Sequence, residues 1–282
     1  MATTKHAPIV EELISLIAKN NWQSKFEQAL KACHDANTIE YENIKTMEDY
    51  YEWLDNSLKW IPVENPEGTA VYNCVTTFYY LLDQSPVKDL QTPIIPSQLK
   101  GNVMPPLTPL SDWMRRYVIA FGAWMDEPGS IDEEAVKSYY NSPRYNMGDY
   151  DMPMGGWKTF NQFFARYTKP GYRPVAAIND DHVITSPADS TNDGQWEINA
   201  ESKVNIKGLE WSIEELLEGS PYKDCFDGGI FIHQFLNTTD YHREHAPVGG
   251  KVLEARLVQG VVYLGVAAEP IENDPKGRTH IV

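Results

Sequence analysis

The chain has 282 residues, 42% of them hydrophobic, which is enough for a buried core and about two domains on length alone. Its 40 acidic against 24 basic side chains give a formal net charge of −16, a surface that repels phosphate backbones and anionic lipid headgroups and so argues against a nucleic-acid partner. Cys33, Cys74 and Cys225 are odd in number and lack a C-x-x-C spacing, so neither a disulfide framework nor a structural zinc site is expected, and a reducing cytoplasm is the natural setting.

The polar start, residues 1–6, shows no apolar core of a secretion signal. After Pro8, Ile9, Leu13, Leu16 and Ile17 recur at helical spacing, and Trp22, Phe26, Leu30 and Cys33 repeat the pattern. Further helices are predicted over 47–60, 69–82 and 111–125, with another starting at Ser130, where residues 130–133 have the form of a capping box. Pro62, Pro66, Pro86, Pro93 and Pro96 punctuate the gaps, and residues 105–109 make a stiff loop. Trp53, Trp60, Trp113 and Trp124 read as packing residues. The longest apolar stretches, 117–125 and 261–268, are shorter than the roughly 20 residues that span a bilayer, so no integral membrane segment is predicted.

Residues 141–157 are rich in Gly, Met, Tyr and Asp without apolar periodicity, and the domain boundary is placed there, between residues 1–150 and 151–282. Beyond it, β-forming runs occur at 182–186, 195–198, 203–206 and 229–236, and runs at 251–258 and 261–266 flank a hairpin turn at Gln259-Gly260. A short helix is predicted from Ser212, with capping-box spacing to Glu215. The predicted class is α+β, a helical N-terminal region followed by a mainly β domain.

The chemistry-bearing stretch is Asp240-Tyr241-His242-Arg243-Glu244-His245-Ala246-Pro247-Val248-Gly249-Gly250. Histidine suits proton transfer near neutral pH, and an acid is the natural orienter of an imidazole. His233, His242 and His245 could instead bind zinc, although the H-x-x-H spacing lacks the helical His-Glu-x-x-His pattern. A hydrogen-bonded strand-end cluster without chemistry is the third reading, and spacing alone leaves all three open.

This stretch resembles the D-Y-H-R-x-H-x-P-x-x-G signature of the phosphatidylserine decarboxylase family. Other pieces follow in the family's order. Phe160-Asn161-Gln162-Phe163-Phe164-Ala165-Arg166 with Lys169-Pro170-Gly171-Tyr172-Arg173-Pro174 is similar to its F-F-x-R…K-P-G-x-R-P segment, and Ser186-Pro187-Ala188-Asp189 to its S-P-A-D-G. Ile206-Lys207-Gly208 with Leu216-Leu217 resembles its I-K-G…L-L segment, and Phe226, Gly228 and Gly229 its F-x-G-G. Ser190 stands where the family usually has glycine, and Trp211 near its usual tyrosine. The helical first half resembles the accessory region of a subgroup that includes enzymes of the tryptophan decarboxylase type.

The resemblance implies a decarboxylase made as a self-cleaving proenzyme, whose covalent cofactor is a pyruvoyl group formed from a serine in a Gly-Ser pair. It implies Asp189 and His245 as acid and base activating that serine, His242 on the cofactor side, and Asp240, Arg243 or His233 as orienting or substrate-contacting residues. The serine is expected well beyond the histidine motif, and 37 residues follow His245 (282 − 245). The Gly-Ser pairs at Ser130 and Ser220 read as a helix cap and a turn. The expectation is therefore an incomplete β domain, inactive alone, whose pyruvoyl comes from a C-terminal partner chain; the family also implies a homodimer. The acidic surface favours a free, aromatic amino acid as substrate, with phosphatidylserine or a non-catalytic binding role as alternatives.

Overall fold

The computed structural model describes residues 5–93, 106–199, 203–206, 209–217, 219–257 and 260–282. Among these residues, six α-helices come first: α1 (Pro8–Lys19), α2 (Gln23–Asp35), α3 (Met47–Ser57), α4 (Ala70–Leu82), α5 (Pro109–Met125) and α6 (Glu133–Tyr140). Proline opens α1 and α5, where its missing N–H would have no helical partner in any case. The apolar stripes pack inward: Val10, Leu13 and Ile17 of α1 and Phe26, Leu30 and Cys33 of α2 are buried, while Ile9 and Leu16 lie at the margin. Thr46 closes a capping box with Asp49 at the start of α3.

The start of α6 differs from expectation. Its cap is Asp132, whose side chain accepts from the Ala135 amide. Ser130 lies two residues earlier and fully buried, donating to the Met125 carbonyl at 3.1 Å and accepting from the Phe160 amide at 2.9 Å. It satisfies the orphan groups of two neighbouring helix ends instead of capping its own.

Two cores organise the helices. In the first, Trp113 is fully buried, its indole donates to the Ile9 carbonyl at 2.8 Å, and Phe78 stacks on Tyr117 at 5.0 Å. The second gathers Tyr139, Tyr145, Tyr150 and Trp157 with Phe160 and Phe163 of a short helix α7 (Phe160–Phe164). Residues 141–157, aperiodic in sequence, thus supply buried aromatic side chains to a core. Trp60 and Trp124 pack at its edge, joined by the Trp124 indole donating to the Trp60 carbonyl at 2.7 Å.

The strands form antiparallel pairs: β1 (Tyr150–Asp151) with β2 (Tyr167–Thr168), β3 (Thr191–Glu197) with β6 (Ile230–Phe235), β4 (Lys203–Ile206) with β5 (Leu209–Ser212), and β7 (Ala268–Pro270) with β8 (Thr279–Ile281). A one-turn helix α8 (Ile213–Leu216) starts from the predicted Ser212–Glu215 capping box. The chain is mixed helix and sheet, but less β than expected. Residues 182–186, 251–257 and 261–266 join no ladder among the described residues, and Lys207, Gly208 and Gln259 lie outside them. The side chains there have strand propensity, yet a strand also needs a hydrogen-bonding neighbour.

The β7–β8 hairpin reaches back to the first helices. Ile281 is fully buried in the first core, Thr279 donates through its amide to the Asn37 carbonyl at 3.1 Å and through its hydroxyl to Ala36 at 2.7 Å, and Arg278 pairs with Glu42 at 2.9 Å. Ile281→Ala should lower unfolding free energy by about 2–4 kcal/mol, read as a drop in urea midpoint at unchanged slope.

His6 fastens the other end of this core. Its ring is buried, with Nδ1 2.6 Å from Asp55 Oδ2 and Nε2 3.2 Å from Glu48 Oε1. Burial opposes the charged ring, but the hydrogen bonds and charges of Asp55 and Glu48 outweigh it and raise the pKa above the ordinary histidine value. The stabilisation is therefore complete below the unfolded value of about 6.5 and lost as pH rises through the raised folded value. The stability gap between wild type and His6→Gln should narrow from about pH 5.5 to about pH 8.5 in urea titrations; a constant gap would assign the residue a packing role only.

Candidate active site

Two segments 60 residues apart lie side by side. The Thr185 amide donates to the Pro247 carbonyl at 3.0 Å, and the His245 amide donates to the Pro187 carbonyl at 2.7 Å. This is antiparallel pairing over three residues. It stops there because Pro187 and Pro247 have no N–H to continue the ladder, which is why the predicted strand at 182–186 does not form. The pairing sets Asp189 and His245 on the wall of one cavity of about 380 Å³, with Arg173, Ser186 and Tyr241. A neighbouring cavity of about 270 Å³ is also lined by His245 and is bordered by Asp180, Asp181 and Val248.

A second juxtaposition holds the histidine loop to α7. Arg166 donates through Nη2 to the carbonyls of Thr239 and Asp240, both at 3.2 Å, and Arg243 donates through Nε to the Ala165 carbonyl at 2.7 Å. The His242 ring lies 4.0 Å from the Phe164 ring, and the Arg243 guanidinium sits 3.5 Å over Tyr167. Three consecutive residues, Phe164 to Arg166, thus contact the loop from Thr239 to Arg243.

The expected site residues take distinct places. Asp189 is held by Arg173, which donates through Nε at 3.0 Å and Nη2 at 2.9 Å, while His245 Nε2 is 3.3 Å from the Tyr241 hydroxyl. They share a cavity, with Arg173 and Tyr241 as their immediate partners. His242 is half-buried beside Phe164, and its Nε2 donates to the Asn237 carbonyl at 2.8 Å. Burial depresses its pKa, and the Arg166 charge adds to that; the Asn237 and Thr238 carbonyls and Asp240 pull the other way.

The orienting residues differ from expectation. Asp240 closes its own turn by accepting from the Asn237 amide at 2.8 Å, and Arg243 is spent on Ala165 and Tyr167, so neither carboxylate nor guanidinium orients an imidazole here. His233 stands on the β3–β6 ribbon with Nδ1 2.8 Å from Asp193. The three histidines have three separate partners, and no group of three or more His, Cys, Asp or Glu side chains that could hold a metal occurs among the described residues.

Three contributors were not assigned roles from sequence. Arg173 bridges Asp189 and Asp149, the latter at 2.6 Å; burial works against its charge, but the two carboxylates carry its pKa upward. Tyr150 lies between Arg166, at 4.0 Å, and Arg173, at 5.9 Å. Buried Tyr241 is the contact of His245. Arg166 and Arg173 occupy the arginine positions of the F-F-x-R and K-P-G-x-R-P matches, the signal that could have pointed to them.

A sequence model of the phosphatidylserine decarboxylase family matches residues 160–274. Phosphatidylserine decarboxylase proenzyme 3 of Schizosaccharomyces pombe is 37% identical over 150 residues, covering 53% of this chain and 15% of that protein. The phosphatidylserine decarboxylase proenzymes of Fusobacterium nucleatum and an Anaeromyxobacter species are 31% identical over 154 residues and 36% over 151, covering 55% and 53% of this chain and 48% and 52% of theirs. The chain thus spans about half the length of these bacterial relatives, and less of the fission-yeast one. Residues 160–274, which carry Arg166, Asp189, His242 and His245, are thus the part of the chain that is similar to the phosphatidylserine decarboxylase family.

Proposed function

We propose that this chain is the larger part of a pyruvoyl-dependent decarboxylase whose substrate is phosphatidylserine. The observation that carries the reading is the placement of Asp189 and His245 on one cavity whose border is apolar and exposed: Ile184 there is 77% exposed, and Ile178 and Val248 beside the adjoining cavity are 73% and 41% exposed. A headgroup can enter such a cavity while acyl chains lie across the border. The relatives' names support the same substrate. The net charge of −16 favours a second reading, decarboxylation of a free aromatic amino acid, in which the helical residues 8–140 would be the accessory region of the tryptophan decarboxylase-like subgroup.

The pyruvoyl group, when present, supplies an electron sink for loss of carbon dioxide. The residues of this chain fit a role beside it. His245 lines both cavities, the Tyr241 hydroxyl lies against one ring nitrogen, and Arg173 keeps the Asp189 carboxylate on the wall. A separate segment supplies the serine in this reading. Ser130 is buried with its hydroxyl engaged at both helix ends, and the Ser220 hydroxyl donates to Glu254 at 2.6 Å, so both in-chain candidates are occupied.

The seat for a pyruvoyl-bearing chain is the uncovered apolar surface: Ile230 and Ile232 on one face of β6, with Val252, Leu253 and Leu257 beyond the histidine loop. Exposed apolar side chains of this kind on an acidic molecule favour an interface. A cytoplasmic setting agrees with three unpaired thiols, two of which, Cys33 and Cys74, burial pushes up to about 12. A homodimer follows from the family reading alone.

The test is made on the complete polypeptide that contains this sequence. Intact mass should show two chains, the smaller gaining a reducible adduct with borohydride and substrate, and carbon dioxide should be released from phosphatidylserine vesicles. Turnover of free tryptophan but not lipid would move the substrate to the second reading, and a single uncleaved, inactive chain would sink both. His245→Ala should slow self-cleavage by about 100-fold or more in the same mass assay.

A further inference from the structure

Arg166 is 1% exposed, and its neighbours are rings and carbonyls. Its guanidinium lies 4.0 Å from the Tyr150 ring, 5.2 Å from Phe163 and 5.6 Å from Tyr145. Nη2 donates to the Thr239 and Asp240 carbonyls, while buried Nε and Nη1 have no hydrogen-bond partner among the described residues. A buried cation without a carboxylate is costly, and a loop that merely needed fastening could be held by a neutral donor or by apolar packing. The charge itself therefore calls for an explanation.

His242 supplies one. Its Nε2 faces the Asn237 carbonyl, which can only accept, so that nitrogen carries hydrogen and the lone pair of the neutral ring sits on Nδ1. Arg166 and Asp240 act on the ring in opposite directions, the guanidinium against its charged form and the carboxylate for it, and the Asp240 carboxylate is already engaged by the Asn237 amide. Phe164 covers one ring face and withholds water from it. We propose that Arg166 is a positioning residue that holds His242 as a neutral imidazole with its lone pair on Nδ1. Arg166 fixes the backbone from which His242 projects, and its charge opposes a second positive charge beside it.

A proton taken at Nδ1 makes an imidazolium with both nitrogens protonated, flanked by a buried guanidinium that favours giving the proton back. His242 is so set up to accept a proton and return it, not to store one. The inference rests on the decarboxylase reading only for the source of that proton; the state of the ring does not depend on it.

The test is histidine ¹⁵N-labelled NMR of the full chain, with His242 assigned by its loss in His242→Gln. The wild-type ring should show the Nε2–H tautomer and titrate below an ordinary histidine. Arg166→Met should move the titration midpoint upward, and Arg166→Lys, which keeps the charge without the fork, should leave it low. An Nδ1–H tautomer, an ordinary or raised midpoint in wild type, or equal midpoints in the Met and Lys variants would overturn the proposal. If Arg166→Met does not fold, the wild-type tautomer and midpoint still decide. Absence of decarboxylation in the complete protein would leave these titrations unchanged, so the two readings fail separately.

Discussion

The grip between α7 and the histidine loop is the contact on which the site depends. Phe164, Ala165 and Arg166 each touch the segment from Thr239 to Arg243: a ring on a ring, a carbonyl taken by Arg243, and a guanidinium reaching back to two carbonyls. The two arginines point in opposite directions across the same gap, so each segment both donates to and accepts from the other. Without regular sheet around the loop, these contacts and the two backbone bonds to residues 185–187 fix where His242 and His245 lie. The grip also anchors the loop to the second aromatic core.

That dependence sorts the polar residues of the signature by what they touch. Asp240 is spent on the loop's own turn and Arg243 on the grip to Ala165 and Tyr167, Tyr241 and His245 line the cavity, and His242 packs on Phe164. A motif of adjacent residues is therefore not one catalytic cluster but a turn with two sides. Arg173 plays the matching part on the other wall, tying Asp189 to Asp149 and so to the start of β1. Tyr150, flanked by both guanidiniums, links the two halves of the arrangement.

Much of the helical layer was legible in the sequence, because 3.6-residue periodicity and helix-start chemistry are local. The stripe of α1, the cap Ser212 and the buried Trp113 all follow from such signals. Ser130 was misread because its hydroxyl answers to Met125 and Phe160, partners that no local spacing reveals. The strand reading failed at 182–186 and 251–257 for a related reason: alternation states a preference, whereas a ladder needs a neighbour, and prolines at 187 and 247 limit the one neighbour available. The histidine loop stood out by composition and family likeness. The placing of Arg166, Arg173 and Tyr241 around it is tertiary and was not readable from order alone.

The β7–β8 hairpin has a consequence for how the chain is made. Thr279 and Ile281 bond and pack against residues 36–40 and their neighbours, some 240 positions earlier, as in the Thr279 hydroxyl to Ala36 bond at a separation of 243. Local helices form quickly, but a contact this distant waits for the intervening chain. On the ribosome, the cleft that receives Ile281 must stay unfilled until nearly all of these residues have emerged. For that interval the helical layer exposes apolar surface that the finished chain covers, which makes the nascent helices a natural client for chaperones and the hairpin the step that ends their exposure.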